Sequence, residues 1–190
     1  MRTICLILLV SSLASPVGAK SSASAQEKTL QTLISSVRYS KDAMALKELN
    51  GVAQGKILLG EAWSQGSEAE QKEFIELFHG LFATMAFPKI RANFEKLETI
   101  LYETPEISDK NAKVKSTLVL LHPLKKQEIK VTYDLSQEGG AWKVVDVTVQ
   151  GDKSMLTNIR DDQVQPIVKG GGWKNLLKIM RQKLEQVKKS

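Results

Sequence analysis

Cysteine is almost missing from this chain of 190 residues. The one cysteine, Cys5, lies in the N-terminal segment, so the remainder has no disulfide and no thiolate chemistry. Histidine is scarce too, with only His79 and His122. Neither has a carboxylate or nucleophile at a recognisable motif spacing, and a catalytic site needs convergent partners. Zinc sites lack their ligands, and there is no acidic loop of calcium-binding type. Glu103, Glu106 and Asp109 cluster, but they read as a solvated strand end. Aromatic residues make up 6% of the chain and form no stripe with basic ones, which argues against nucleic acid as a partner. "KGGGWK" (169–174) is not a phosphate cradle: a helix precedes it, and no Ser or Thr follows its lysine. It reads as the glycine end of one helix and the start of another. No catalytic residue, metal ligand or cofactor is therefore expected.

Long apolar runs are also absent. Ile4 to Val10 is too short to cross a bilayer. With Arg2 before it and Val17-Gly18-Ala19 after it, the stretch has the form of a secretory leader over residues 1–19. Removing it leaves 26 basic against 21 acidic side chains, with Lys174, Lys178, Arg181, Lys183, Lys188 and Lys189 gathered in the last helix. Such a run is usually a solvated face; the sharper alternative is attraction to anionic headgroups. An exported chain without disulfides must be held by its core, and about 170 residues suffice for that.

The rest divides by periodicity. Residues 20–28 are small and polar and are expected to be a disordered lead-in, with one domain over 29–190. Leu30, Leu33, Ile34 and Val37 recur at helical spacing, and Asp42 offers a helix start. Ser67 and Glu70 have the form of a capping box. Phe74, Leu77, Phe78, Leu81, Phe82 and Met85 then make a bulky stripe that Pro88 ends. From Glu98 the period becomes two. Four strands joined by short links predict an antiparallel meander, and two helical segments close the chain. The fold class is α+β, a four-stranded antiparallel sheet with helices on one face. On simple alternation Val145, Val147 and Val149 share one face of the last strand, while Trp142, Val144, Asp146 and Thr148 share the other.

Two stretches resemble a known family. "LLGEAWSQGSEAEQKEFIELFHGLF" is similar to its leucine-glycine, tryptophan, capped helix and Phe-x-x-x-Phe run. "AWKVVDVTVQGDKSMLTNIRDDQVQPIVKGGGWKNLLKIMRQKL" resembles its strand, its Asp-x-x-x-x-Gly-x-Ser turn and its glycine-joined closing helices. The family is MlaC, the toluene-tolerance auxiliary family, and the resemblance covers roughly residues 43–187. Pro166 and the triple glycine at 170–172 depart from its pattern.

The resemblance implies a periplasmic carrier with phospholipid tails in a cavity between sheet and helices. Its partners would be an inner-membrane ABC lipid-transport complex and an outer-membrane lipoprotein-porin complex; some relatives serve hopanoid export instead. Each methylene moved out of water is worth about 0.8 kcal/mol, so free lipid does not cross an aqueous gap at a useful rate. On this reading the cavity is lined by Phe74, Phe78, Phe82 and Met85, by Val131, Tyr133, Val145, Val147 and Val149, and by Met155, Leu177 and Met180, with Asp146 facing away. The chain is expected to act as a monomer. Two other classes stand beside the carrier. One is an enzyme of nuclear-transport-factor-like fold working through Tyr133, Asp134 or Asp146; the other is a protein-binding module of cystatin type.

Overall fold

The computed structural model describes residues 23–122 and 125–189. The expected leader, Cys5 and the residues between the third and fourth strands lie outside them. Helix α1 (Ala25–Arg38) begins with the Ser24 hydroxyl accepting from the Glu27 N–H. It thus starts inside the expected lead-in, because Ser24 is a good N-cap and Gln26 and Thr29 are buried as the first turn docks. Helix α2 (Asp42–Lys47) has Lys41 at its cap and Asp42 in its first turn, where Asp42 takes the Arg91 guanidinium at 2.6 Å. Helix α3 (Gly51–Leu59) runs into a tight turn at Gly60–Gln65. Gly55 belongs there for a packing reason: a Cβ would collide with the ring of Trp63.

The capping box forms as the sequence predicts and starts α4 (Glu68–Met85). Pro88 sits in the first turn of α5 (Phe87–Phe94), where its missing N–H costs nothing, so α4 ends just ahead of it.

The sheet has five strands. They are β1 (Leu97–Tyr102), β2 (Glu106–Ser108), β3 (Asn111–His122), β4 (Lys125–Glu138) and β5 (Ala141–Val149). The order is β1-β3-β4-β5, all antiparallel, with β2 extending the edge beside β3. The stretch expected as a first strand splits in two at Pro105, which cannot donate to the ladder. The outer face is polar and crossed by ion pairs such as Lys113–Asp134 at 2.5 Å and Lys115–Glu106 at 2.6 Å.

Simple alternation fails on β5. The register with β4 shifts between Asp134 and Leu135, which stand opposite Asp146 and Val144, so Val145 is an extra residue. Trp142 and Val144 before it, and Val147 and Val149 after it, stand opposite the Gln137–Leu135 and Tyr133–Val131 positions of one β4 face. Asp146 is not a solvated residue: it is buried, and its Oδ1 accepts from the backbone N–H of Val147 (2.8 Å) and Leu156 (3.0 Å). That bond anchors α6 (Met155–Ile159), itself capped by Ser154.

A single π-turn, Arg160–Val164, joins α6 to α7 (Gln165–Lys188). The wider turn, with Gln165 N–H bonding back to Arg160, admits Pro166 at the start of α7. The Gln165 amide donates to the last carbonyls of α3, Leu58 and Leu59. Gly172, at φ 61° and ψ −162°, breaks α7 into two rods. Such angles are essentially reserved for glycine, which is why the last of the three glycines stands here.

Candidate functional site

The buried apolar residues form two clusters rather than one. The helix-side cluster joins α3, α4, α6 and α7 through Leu58, Leu59, Trp63, Phe74, Phe78, Trp173, Leu176 and their neighbours. Its centre is aromatic. Phe74 is fully buried, stacks on Phe78 at 6.0 Å, and meets Trp63 and Trp173 edge-on at 6.2 and 6.1 Å. The Trp173 indole N–H donates to Ala62 O at 2.7 Å, so the polar atom this core buries is satisfied.

The sheet-side cluster lies between α1, α2, α5 and the inner sheet face. It holds Leu30, Ile34, Val37, Phe87, Val114, Leu118, Val131, Tyr133 and Leu135. Phe82 packs against both clusters, with its ring 5.9 Å from Phe78 and 5.3 Å from Phe87.

Two hollows open on this architecture. One, of about 300 Å3, is a cleft between α1 and β1, with Ile34, Leu97, Ile100 and Tyr102 as its apolar walls and Gln31, Arg38 and Glu98 among its polar ones. The other, of about 430 Å3, lies against β2 and the paired ends of β3 and β4, where Ile107, Ala112, Leu135 and Val145 meet Glu106, Lys113 and Asp134.

The expected cavity residues are therefore not brought to one place. Phe74, Phe78, Leu177 and Met180 are buried in the helix-side cluster, and Met155 flanks it. Val131 and Tyr133 are buried on the sheet side, and Val147 and Phe82 pack against that cluster. Val145 walls the second hollow; Met85 and Val149 are 41% and 46% exposed. Sequence reasoning missed Tyr102 and Ser116. These stand opposite each other on β1 and β3, yet Tyr102 Oη and Ser116 Oγ are buried without a hydrogen-bond partner. Ser116 could have been found, because it interrupts the apolar register Val114, Ser116, Leu118.

Among the described residues, burial is the main cause of the shifts at His79, Tyr102 and Tyr133. Burial, aided by the charge of Lys143, lowers His79 to about 4. Its Nε2 lies 2.9 Å from Gln54 Oε1. The Gln54 amide nitrogen donates to Val145 O, which fixes Oε1 as the acceptor and puts the ring proton on Nε2. The neutral imidazole thus ties α4 to α3 and, through Gln54, to β5. Burial raises the Tyr102 and Tyr133 hydroxyls above the ordinary tyrosine value. Tyr133 and Asp146, named as possible enzyme groups, are respectively a buried phenol beside Ser116 and a helix anchor. Among the described residues no group of His, Cys, Asp and Glu has the arrangement of a metal site, and no helix is long and apolar enough to cross a membrane.

Comparison with known proteins accounts for this architecture. A search of the curated proteins finds no match. Among solved structures, the chain is similar to the phospholipid-binding protein from Ralstonia solanacearum, determined in complex with a phospholipid. The TM-score is 0.68 over 87% of this chain and 99% of that one, at 16% identity. At that identity the likeness establishes a shared fold. A SEC-C motif protein from Rhodopseudomonas palustris aligns over 66% of this chain and 80% of its own at TM-score 0.40 and 8% identity, which carries no argument. The family model described as MlaC protein matches residues 23–182, from the first helix through the sheet and into the final rod. The chain belongs to the MlaC family.

Proposed function

We propose that this protein is a lipid carrier of the periplasm, exported by its leader. It would hold phospholipid tails between the sheet and the helices and pass them between an inner-membrane ABC complex and an outer-membrane lipoprotein-porin complex. The observation that carries this reading is the family match over 23–182. The shared fold with a phospholipid-binding protein from Ralstonia solanacearum supports it. So does the divided interior. A helix layer with a complete aromatic core of its own can separate from the sheet without losing that core. Of the expected lining, the sheet-side members Val131, Tyr133 and Val147, with Phe82 at the junction, then face the space that opens. Phe74 and Phe78 hold the helix layer together.

No step of chemistry is required. Burying about thirty methylenes is worth on the order of 25 kcal/mol in transfer free energy. A site that captured all of it would release lipid too slowly, so delivery proceeds by contact with a receiving protein.

The test is extraction. Protein purified natively and extracted with organic solvent should yield stoichiometric phospholipid by mass spectrometry. An empty extract, or a polar small molecule in its place, overturns the carrier. Val147→Asp should cut recovered lipid several-fold in protein that still elutes as folded. Unchanged recovery removes Val147 from the lining.

A further inference from the structure

The α1–β1 cleft holds a feature that an all-apolar tail site does not need. Tyr102 lines it, and Tyr102 Oη has no hydrogen-bond partner although almost no surface of that atom reaches solvent. Ser116, directly opposite on β3, is 2% exposed and equally unpartnered. Tyr133, on β4, stands diagonally from Ser116 on the same face and is 5% exposed. An interaction with the Ser116 hydroxyl offsets part of the rise that burial imposes on Tyr133. Buried hydroxyls are nearly always bonded, so two orphans facing each other across one ladder need an explanation. A ligand atom that completes them is one that this site supplies with donors.

The chemistry narrows that atom. Each orphan hydroxyl has a proton to donate. The target is then an acceptor, and a neutral one, because no cation is among the groups acting on the Tyr102 and Tyr133 hydroxyls to offset a buried anion. An ester carbonyl oxygen meets both conditions. The charged part of such a lipid belongs farther out, where Arg38 stands at the cleft wall with its guanidinium 5.9 Å over the Tyr39 ring. The cleft, at about 300 Å3, is at the lower end for ligand sites, which run to about 1,000 Å3. It suits a glycerol ester with the first methylenes of a chain, the remainder entering between the layers.

We propose that the α1–β1 cleft is the ester-binding subsite of the lipid cavity, in which Tyr102 and Ser116 donate to an acyl ester carbonyl and Arg38 meets the phosphate outside. The subsite selects acyl-ester lipids over ether-linked ones, which have the same tails and headgroup but no carbonyl. It rests on the carrier reading, and the experiment separates the two.

Delipidated protein is equilibrated with vesicles containing equal amounts of a diester and a diether phosphatidylglycerol of matched chain length, and the bound lipid is counted by mass spectrometry. The wild type should take up diester lipid in roughly tenfold excess, since lost hydrogen bonds to buried polar groups discriminate strongly. Tyr102→Phe combined with Ser116→Ala should bring the ratio near one while total uptake falls only modestly. Arg38→Gln should lower uptake of both lipids alike and keep the ratio. Equal uptake of the two lipids by the wild type overturns the subsite and leaves the carrier intact; so does a ratio unchanged in the double variant. Uptake of neither lipid overturns both. Tyr102→Phe carries an independent readout without lipid. Removing an unpaired buried hydroxyl should raise the melting temperature of the delipidated protein, whereas a hydroxyl already bonded in that form would lower it on removal.

Discussion

The helix-side and sheet-side clusters are built from similar amounts of apolar sequence and end in different states. The first is closed: four aromatic rings interlock, and the buried indole N–H finds a carbonyl. The second sets Phe87, Phe94 and Tyr133 singly among aliphatic side chains, and it leaves hydroxyls unmet beside an open cleft. A protein that needed only stability would finish both. The difference puts interlocked aromatic packing in the helix layer and the open cleft and unmet hydroxyls against the sheet.

Four measurements would break or sharpen that contrast. The largest effect should come from Phe74→Ala, which opens a hole among three aromatic neighbours: about 3–5 kcal/mol in denaturant unfolding. Val131→Ala on the sheet side should cost less, toward the lower end for aliphatic truncations. An equal or larger loss would mean that the sheet side is as tightly closed as the helix side.

Next comes Gly172→Ala. It forces a side chain into a backbone region open essentially to glycine alone and should cost about 1–3 kcal/mol. No loss would show that the two rods of α7 adjust freely about this point.

The pH effect is spread over more than two pH units and has a definite sign. His79 binds its proton near 4 when folded and near 6.5 when unfolded. Between those values the unfolded chain holds the extra proton, so stability is full above pH 6.5 and falls as pH drops toward 4, by at most about 1.4 kcal/mol per pH unit. His79→Gln should flatten that slope in urea titrations; an unchanged slope would place the titrating group elsewhere.

Smallest of all is Glu73→Gln, which removes the exposed ion pair from Arg181 on α7 to α4 and should cost under about 1 kcal/mol, less in high salt. A larger, salt-independent loss would mean that the pair clamps the helix layer.

The sequence revealed elements better than their allegiance. The capping box, the Pro88 stop and the glycine break in the last helix were all legible because each is local chemistry. Period-two alternation found the sheet, but it could not see that Val145 is an extra residue, since a bulge is a relation between two strands. Nor could periodicity tell which cluster a buried phenylalanine would join. Phe74 and Phe82 fall on one stripe of α4, yet the first is sealed among aromatics and the second touches both layers. Ser116 stands out in its apolar register, but that its hydroxyl lacks a partner was out of reach for the same reason. Nothing in "KVKSTLVL" says whether the serine will find a partner across the ladder.

The inserted valine of β5 has one more effect. It resets the phase of the strand midway, so that valines six or more ångströms apart along the chain stay on the inner side while the carboxylate between them is released to catch the start of α6. Deleting that one residue would turn half the strand over and take the Asp146 carboxylate away from the start of α6. A single surplus position thus ties the ladder of the last strand to the start of α6.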